Sequence, residues 1–281
     1  MVNETVKEIL ELKKQKNAIL LSHNYQLPEI QDIADFIGDS LELSRQAKDA
    51  KCDIIVFCGV NFMAETASIL NPDKTVLLPE IDAGCPMADD VDVYKLKELI
   101  KQHPDAAVVS YVNTTAEVKA LSYACCTSAN APEVVRAVPH KKIIFVPDKN
   151  LADWAKRNVP EKIIIPWDGY CPVHHMIRKE DVMKVKEMHP NAIFIAHPEC
   201  RPEVIDYAQH VASTSGMIRF AKNSQAKEFI IGTETGLIYR LKKENPDKIF
   251  YPLKKSMICP DMKITTLESV LKALKERIVI K

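Results

Sequence analysis

Three cysteines, Cys85, Cys171 and Cys259, each stand directly before a proline and recur 86 and then 88 residues apart. Proline fixes φ and removes a competing N–H, so a Cys-Pro step suits a rigid ligand loop. The chain shows no export signal, and the cytosol keeps thiols reduced, so disulfides are not the default use of its eight cysteines. Three convergent thiolates favour zinc or an iron–sulfur cluster. A four-iron cluster held by only three protein thiolates leaves one iron open, able to act as a Lewis acid on a substrate oxygen or nitrogen. The remaining thiols, Cys52, Cys58, Cys125, Cys126 and Cys200, lack the threefold placement and are expected to be structural.

Two further groups recur at the same two offsets in the reverse order, 88 and then 86. Apolar runs starting at Asn17, Asp105 and Asn191 end in His23 and Tyr25, Tyr111 and Asn113, and His197 and Glu199. Each pair is spaced i, i+2, which puts both side chains on one side if the strand continues. Imidazoles, phenols and a carboxylate are the groups that move protons. Ser40, Ser128 and Thr214 each precede a helical pattern. Such hydroxyls serve as helix N-caps, and with free N–H groups at a helix start they also make an anion site without Lys or Arg. The three strand-exit clusters contain neither. His174, in Cys-Pro-Val-His-His, is expected to line the site and His175 to lie at the surface, while Glu234 in Gly-Thr-Glu-Thr-Gly is a further loop carboxylate.

The elements that must carry these residues repeat as well. Phe57, Phe145 and Ile231 keep the offsets of 88 and 86, so the chain reads as three copies of one unit. Each copy reads strand, helix, strand, helix, strand, loop, helix, with helical stretches that include 29–51, 132–138 and 266–277. Short β-branched runs alternating with helical patterns indicate βαβ units and parallel sheets. The expected fold is α/β: three pseudo-symmetric three-layer αβα domains with small parallel sheets, at 1–103 (with an N-terminal helix), 104–189 and 190–281, around a central active-site cleft. Cores of about 85 residues are marginal alone, so the domains are expected to pack together.

Composition agrees with a globular enzyme. The 281 residues carry 38 basic and 38 acidic side chains, without the basic excess of a nucleic-acid or membrane-surface binder. No apolar run reaches the roughly 18 residues of a membrane span. A soluble, cytoplasmic protein is expected. Seven glycines, with no G-x-G-x-x-G or Walker pattern, argue against a glycine-rich phosphate loop.

These residues together resemble the A-type quinolinate synthases, the iron–sulfur enzymes of NAD biosynthesis. The resemblance spans nearly the whole chain, through Ser-His-Asn-Tyr-Gln (22–26), Gly-Asp-Ser-Leu (38–41), Cys-Pro-Met-Ala (85–88), Tyr-Val-Asn (111–113), Thr-Ser-Ala-Asn (127–130) and Pro-Asp-Lys-Asn-Leu (147–151). It continues through Cys-Pro-Val-His (171–174), His-Pro-Glu-Cys (197–200), Ser-Thr-Ser-Gly (213–216) and Ile-Gly-Thr-Glu (231–234). It implies a transferase that condenses iminosuccinate with dihydroxyacetone phosphate to quinolinate, phosphate and water. It implies a [4Fe–4S] cluster on Cys85, Cys171 and Cys259, and substrate binding by His23, Ser40, Tyr111, Asn113, Ser128, His197, Glu199 and Thr214. It implies proton transfer at Tyr25, with His23, His197 and Glu199 as its catalytic companions, and functional coupling to L-aspartate oxidase or aspartate dehydrogenase. The C-x-x-C-type redox pair of some longer members is expected to be missing here. Two rival classes share parts of the pattern: the diphthamide synthesis enzymes, which cleave S-adenosylmethionine, and a non-enzymatic zinc or cluster-storage protein. Neither explains the polar strand exits as well.

Overall fold

The computed structural model describes residues 2–276. The first stretch of chain forms α1 (Val2–Gln15), β1 (Ala18–His23), α2 (Pro28–Ile33), β2 (Phe36–Gly38), α3 (Ser40–Asp49), β3 (Ile54–Cys58), α4 (Asn61–Leu70) and β4 (Thr75–Leu77), then the short α5 (Pro86–Asp89) and α6 (Val93–Gln102). The second comprises β5 (Ala106–Tyr111), α7 (Ala116–Ala120), β6 (Ala124–Cys126), α8 (Ala131–Ala137), β7 (Lys142–Val146), α9 (Lys149–Asn158) and β8 (Ile163–Pro166), then α10 (Pro172–His175) and α11 (Lys179–Met188). The third comprises β9 (Ile193–Ala196), α12 (Pro202–Ile205), β10 (His210–Val211), α13 (Thr214–Asn223), β11 (Glu228–Gly232), α14 (Leu237–Glu244) and β12 (Ile249–Pro252), then a 3-10 turn (Asp261–Lys263) and α15 (Leu267–Glu276).

The twelve strands make three four-stranded sheets, ordered β2-β1-β3-β4, β6-β5-β7-β8 and β10-β9-β11-β12. Every strand pairing is parallel. Even the register repeats: Leu21 lies opposite Phe57, Val109 opposite Phe145 and Ile195 opposite Ile231, so the sequence offsets of 88 and 86 are matched residue for residue in the two central strands. Such strands are covered on both faces and read as unbroken apolar runs, as Ile-Ile-Val-Phe-Cys of β3 does with all five residues buried.

Two details differ from the sequence expectation. Each sheet has a fourth strand, only three or four residues long, which is too short for a hydrophobic period to reveal. The stretch 29–51 is not one helix. Strand β2 interrupts it, because Asp35 turns the chain: its carboxylate accepts the Leu20 N–H and its own N–H donates to the Leu20 carbonyl, pulling 36–38 beside β1.

The described chain falls into two compact units. One runs to Cys85 and resumes at Cys259, and carries the first sheet. Its core joins Ile9 of α1, Leu20, Val56 and Leu77 of the sheet, and Leu267, Val270 and Leu274 of α15, all buried. The last helix, counted by sequence with the third repeat, therefore seals the first sheet. The other unit, Pro86–Ile258, carries the second and third sheets. One of its cores gathers Leu96, Val108, Val118 and Ile144, and the other Phe194, Ile230, Val204 and Ile177. Trp154 of α9 packs onto the second of these, so α9 joins two sheets.

Candidate active site

In the second unit, β9 ends at Ala196 and the chain turns at once, the Cys200 N–H donating to the His197 carbonyl at 2.9 Å. The turn, rather than continued strand, brings Glu199 back beside His197, whose Nδ1 lies 3.4 Å from Oε2. The same carboxylate oxygen is 2.7 Å from Nδ1 of His174, and the two imidazoles stack with centroids 4.6 Å apart. His174 Nε2 is 2.8 Å from the Thr233 hydroxyl at the end of β11. His174, His197 and Glu199 are all buried. Burial by itself pushes a carboxyl up, but the His174 and His197 imidazoles outweigh it and hold Glu199 well below the usual carboxylate range. Its second oxygen, Oε1, is buried with no hydrogen-bond partner, a costly arrangement unless a ligand completes it.

Cys171 completes this cluster. Its Sγ lies 3.2 Å from His174 Nδ1, and one ligand atom each from Cys171, His174 and Glu199 fall within 4.8 Å of one another. Two supports hold its loop. Asp148, fully buried, accepts the Cys171 N–H at 2.9 Å and caps α9 through the Leu151 N–H at 2.7 Å. Gly169 lets the chain pass the Pro147 carbonyl, where a Cβ would come within 2.5 Å. Burial, reinforced by the Glu199 charge, holds the Asp148 carboxyl well above its ordinary range. Asn150 donates from Nδ2 to the Glu199 carbonyl at 3.0 Å.

Tyr111 closes β5, buried, and the Thr114 hydroxyl donates to its carbonyl in the same kind of strand-end turn. Asn113 follows, its buried Oδ1 without a partner. Ser128 is half-buried in the turn that Asn130 closes by accepting the Thr127 N–H at 2.7 Å. Thr214 is buried at the first position of α13, where Ser213 accepts from the Gly216 N–H.

The first unit repeats the design. The Gln26 N–H donates to the His23 carbonyl at 3.0 Å, and the Tyr25 N–H donates to His23 Nδ1 at 3.2 Å, as the Glu199 N–H does to His197 Nδ1 at 3.4 Å. An Nδ1 that accepts leaves the proton of a neutral His23 on Nε2, which then acts as a donor. The His23 and Tyr25 rings meet edge to face at 4.6 Å, and Lys263 grips the Tyr25 carbonyl. Ser40 is the first residue of α3, whose cap is Asp39, accepting the Leu41 and Glu42 N–H groups. Neither Ser40 nor Thr214 is therefore the cap of its helix. The preceding residue takes that task, leaving each hydroxyl beside the positive end of the helix.

Cys85, Cys171 and Cys259 are all half-buried, and Cys85 and Cys171 open one-turn helices with proline in the first turn. Cys259 precedes the 3-10 turn. The other five thiols differ. Burial pushes Cys58 up to about 12 and raises Cys52, Cys125, Cys126 and Cys200 as well. A thiolate is the ligand form, and burial disfavours it at these five. Cys125 lies on edge strand β6 with part of its surface exposed.

A family model described as quinolinate synthetase A protein matches residues 7–280. The chain belongs to this family. A quinolinate synthase of Thermodesulfovibrio yellowstonii is 74% identical over 276 residues, covering 98% of this chain and 91% of its own. Quinolinate synthase 1 of Methanosarcina acetivorans is 59% identical over 273 residues, and the quinolinate synthase of Caldicellulosiruptor saccharolyticus 57% over 273, each covering 97% of this chain and 90% of the relative.

In this chain the spacing of motifs pointed to His197 and Glu199 as one pair. It did not single out Asp148 or Asn150, although both lie in the motif at 147–151, nor did it place His174 against Glu199. The one signal was an Asp just before a helical pattern, which reads as an N-cap, and the cap is indeed one of its two tasks. Glu234, noted as a loop carboxylate, is fully buried and accepts the Gly236 N–H at 2.7 Å. His175 is half-buried, stacked on Tyr170 at 4.1 Å. No described helix is long and apolar enough to cross a membrane.

Proposed function

We propose that this protein condenses iminosuccinate with dihydroxyacetone phosphate, giving quinolinate, phosphate and water, within de novo NAD biosynthesis in the cytoplasm. What carries the proposal is family membership over nearly the entire chain. The three sequence repeats, 1–103, 104–189 and 190–281, are proposed as its domains. Cys85, Cys171 and Cys259 would hold a [4Fe–4S] cluster, supported by their shared Cys-Pro step and half-buried thiols. Such a cluster keeps one iron free and supplies a Lewis acid for the loss of water.

The chain's own residues divide the remaining work. Ser40 and Thr214, at the starts of α3 and α13, bind substrate carboxylates and phosphate with the help of the helix dipoles. Ser128, Tyr111 and Asn113 add neutral donors and acceptors, and the unpartnered Asn113 Oδ1 supports a ligand contact there. Held ionised, Glu199 is a weak base alone. Paired with His174, it can pass a proton between carboxylate and imidazole along the 2.7 Å contact at Nδ1. His23, donating from Nε2, and Tyr25 move protons at the other strand end. Coupling to L-aspartate oxidase or aspartate dehydrogenase would supply the unstable imine.

Anaerobically purified protein given both substrates should form quinolinate and carry about four iron and four sulfide per chain, as a [4Fe–4S] site requires. Protein with this cluster and no product would end the proposal. A second reading has one observation behind it: Cys171, His174 and Glu199 by themselves make a three-ligand site for a single ion such as zinc. One zinc and no sulfide would favour it.

A further inference from the structure

We propose that the crevice between α9 and α12 is a second binding site, for a small molecule bearing two or more oxyanion charges. It does not depend on the activity proposed above. Lys149, Ala152, Asp153 and Lys156 lie on one face of α9 at helical spacing, and with Ile164 and Pro166 of β8 they form one wall. His175, Arg201, Pro202 and Glu203 form the other, around a volume of about 410 Å³. That is the size range of small-molecule sites, and the mix of an apolar floor with a few convergent polar groups is their usual make-up.

The charges are unequally matched. Asp153 is taken by Arg157 at 2.6 Å. Lys149 reaches Asp168 at 2.7 Å, but Asp168 is 94% exposed, so the pair is screened by water. Arg201 donates from Nε to the His175 carbonyl at 2.6 Å, which fixes the guanidinium plane, and no described acid pairs with its outer nitrogens. Lys156 has no acidic partner among the described residues. Against these three cations the walls offer only Glu203 besides the committed Asp153. His175 faces the Asn150 amide, with Nδ1 3.1 Å from Nδ2. The walls are thus fixed, and their surplus positive charge is what a ligand with several oxyanion charges would neutralise.

Phosphate esters and polycarboxylates share this chemistry, so pyrophosphate and citrate serve as separate probes. Isothermal titration of the anaerobically prepared holoprotein should show saturable binding of at least one of them. Lys156→Glu should weaken it about tenfold or more, since reversing one exposed charge changes the local net charge by about two units, while Lys156→Arg and Thr214→Ala should leave it intact. Pyrophosphate alone would identify a phosphorylated ligand, citrate alone a carboxylated one. Absence of saturable binding by either probe would overturn the proposal. So would a loss in Thr214→Ala as large as in Lys156→Glu, because the anion would then sit at the strand ends.

Discussion

At the scale of single residues, the decisive feature is a carboxylate that two imidazoles keep ionised despite burial. Removing its charge while keeping its shape tests what it does. Glu199→Gln should lower kcat by about 100-fold or more, the usual range for a proton-transfer group, with iron content unchanged. An unaltered kcat would take Glu199 out of the proton chemistry. Tyr25→Phe should likewise slow turnover while the cluster's absorbance stays. His175 offers a test of stability rather than rate. Its imidazole is held at about 4 in the folded chain against about 6.5 when unfolded, so the folded state binds fewer protons between these values. Its contribution is present above about pH 6.5 and is lost as pH falls toward about 4. The melting temperature should decline over that window, and His175→Gln should flatten the decline. The spacing of His197 and Glu199 was legible because a turn joins neighbours in the chain. Asp148 and Asn150 were not, because their partners Cys171 and Glu199 lie 23 and 49 residues away.

At the scale of elements, the helix starts explain how two hydroxyls come to stand beside helix N-termini. Asp39 and Ser213 satisfy the first N–H groups of α3 and α13, and Ser40 and Thr214 stand one residue on. Asp39→Ala should therefore cost about 1 kcal/mol of stability through the lost cap and also raise KM, because Ser40 loses its anchor. Asp92 caps α6 in the same way through the Tyr94 and Lys95 N–H groups, on an exposed surface. Asp92→Ala should cost a similar amount and leave KM alone. Equal KM values in the two variants would show that α3's start does not touch substrate. The strand exits teach a related lesson. Alternation along a continuing strand would have aligned His23 with Tyr25, yet both β1 and β9 stop, and it is the turn hydrogen bonds that bring each pair together. Periodicity reports on regular elements, and the chemistry sits just past their ends.

At the scale of the whole chain, the triplicated sheet is the organising fact, and the last helix is its exception. Leu274, fully buried, lies in the same core as Ile9 and Leu20. Leu274→Ala should destabilise by about 2–5 kcal/mol, as a large-to-small change in a filled core does, seen as a lower denaturant midpoint. An effect within about 0.5 kcal/mol, typical of a surface site, would mean that α15 adds nothing to the first sheet. The amino-acid sequence alone determined the three parallel sheets, their repeat offsets and the residues at each central strand's exit. Those follow from apolar runs and turn residues acting over a few positions of chain. Tertiary structure decided that α15 closes the first core, that His174 rather than a neighbour in sequence faces Glu199, and that Asp148 steadies Cys171. Burial and charge coupling depend on distance through space, and segments far apart in the chain supply both.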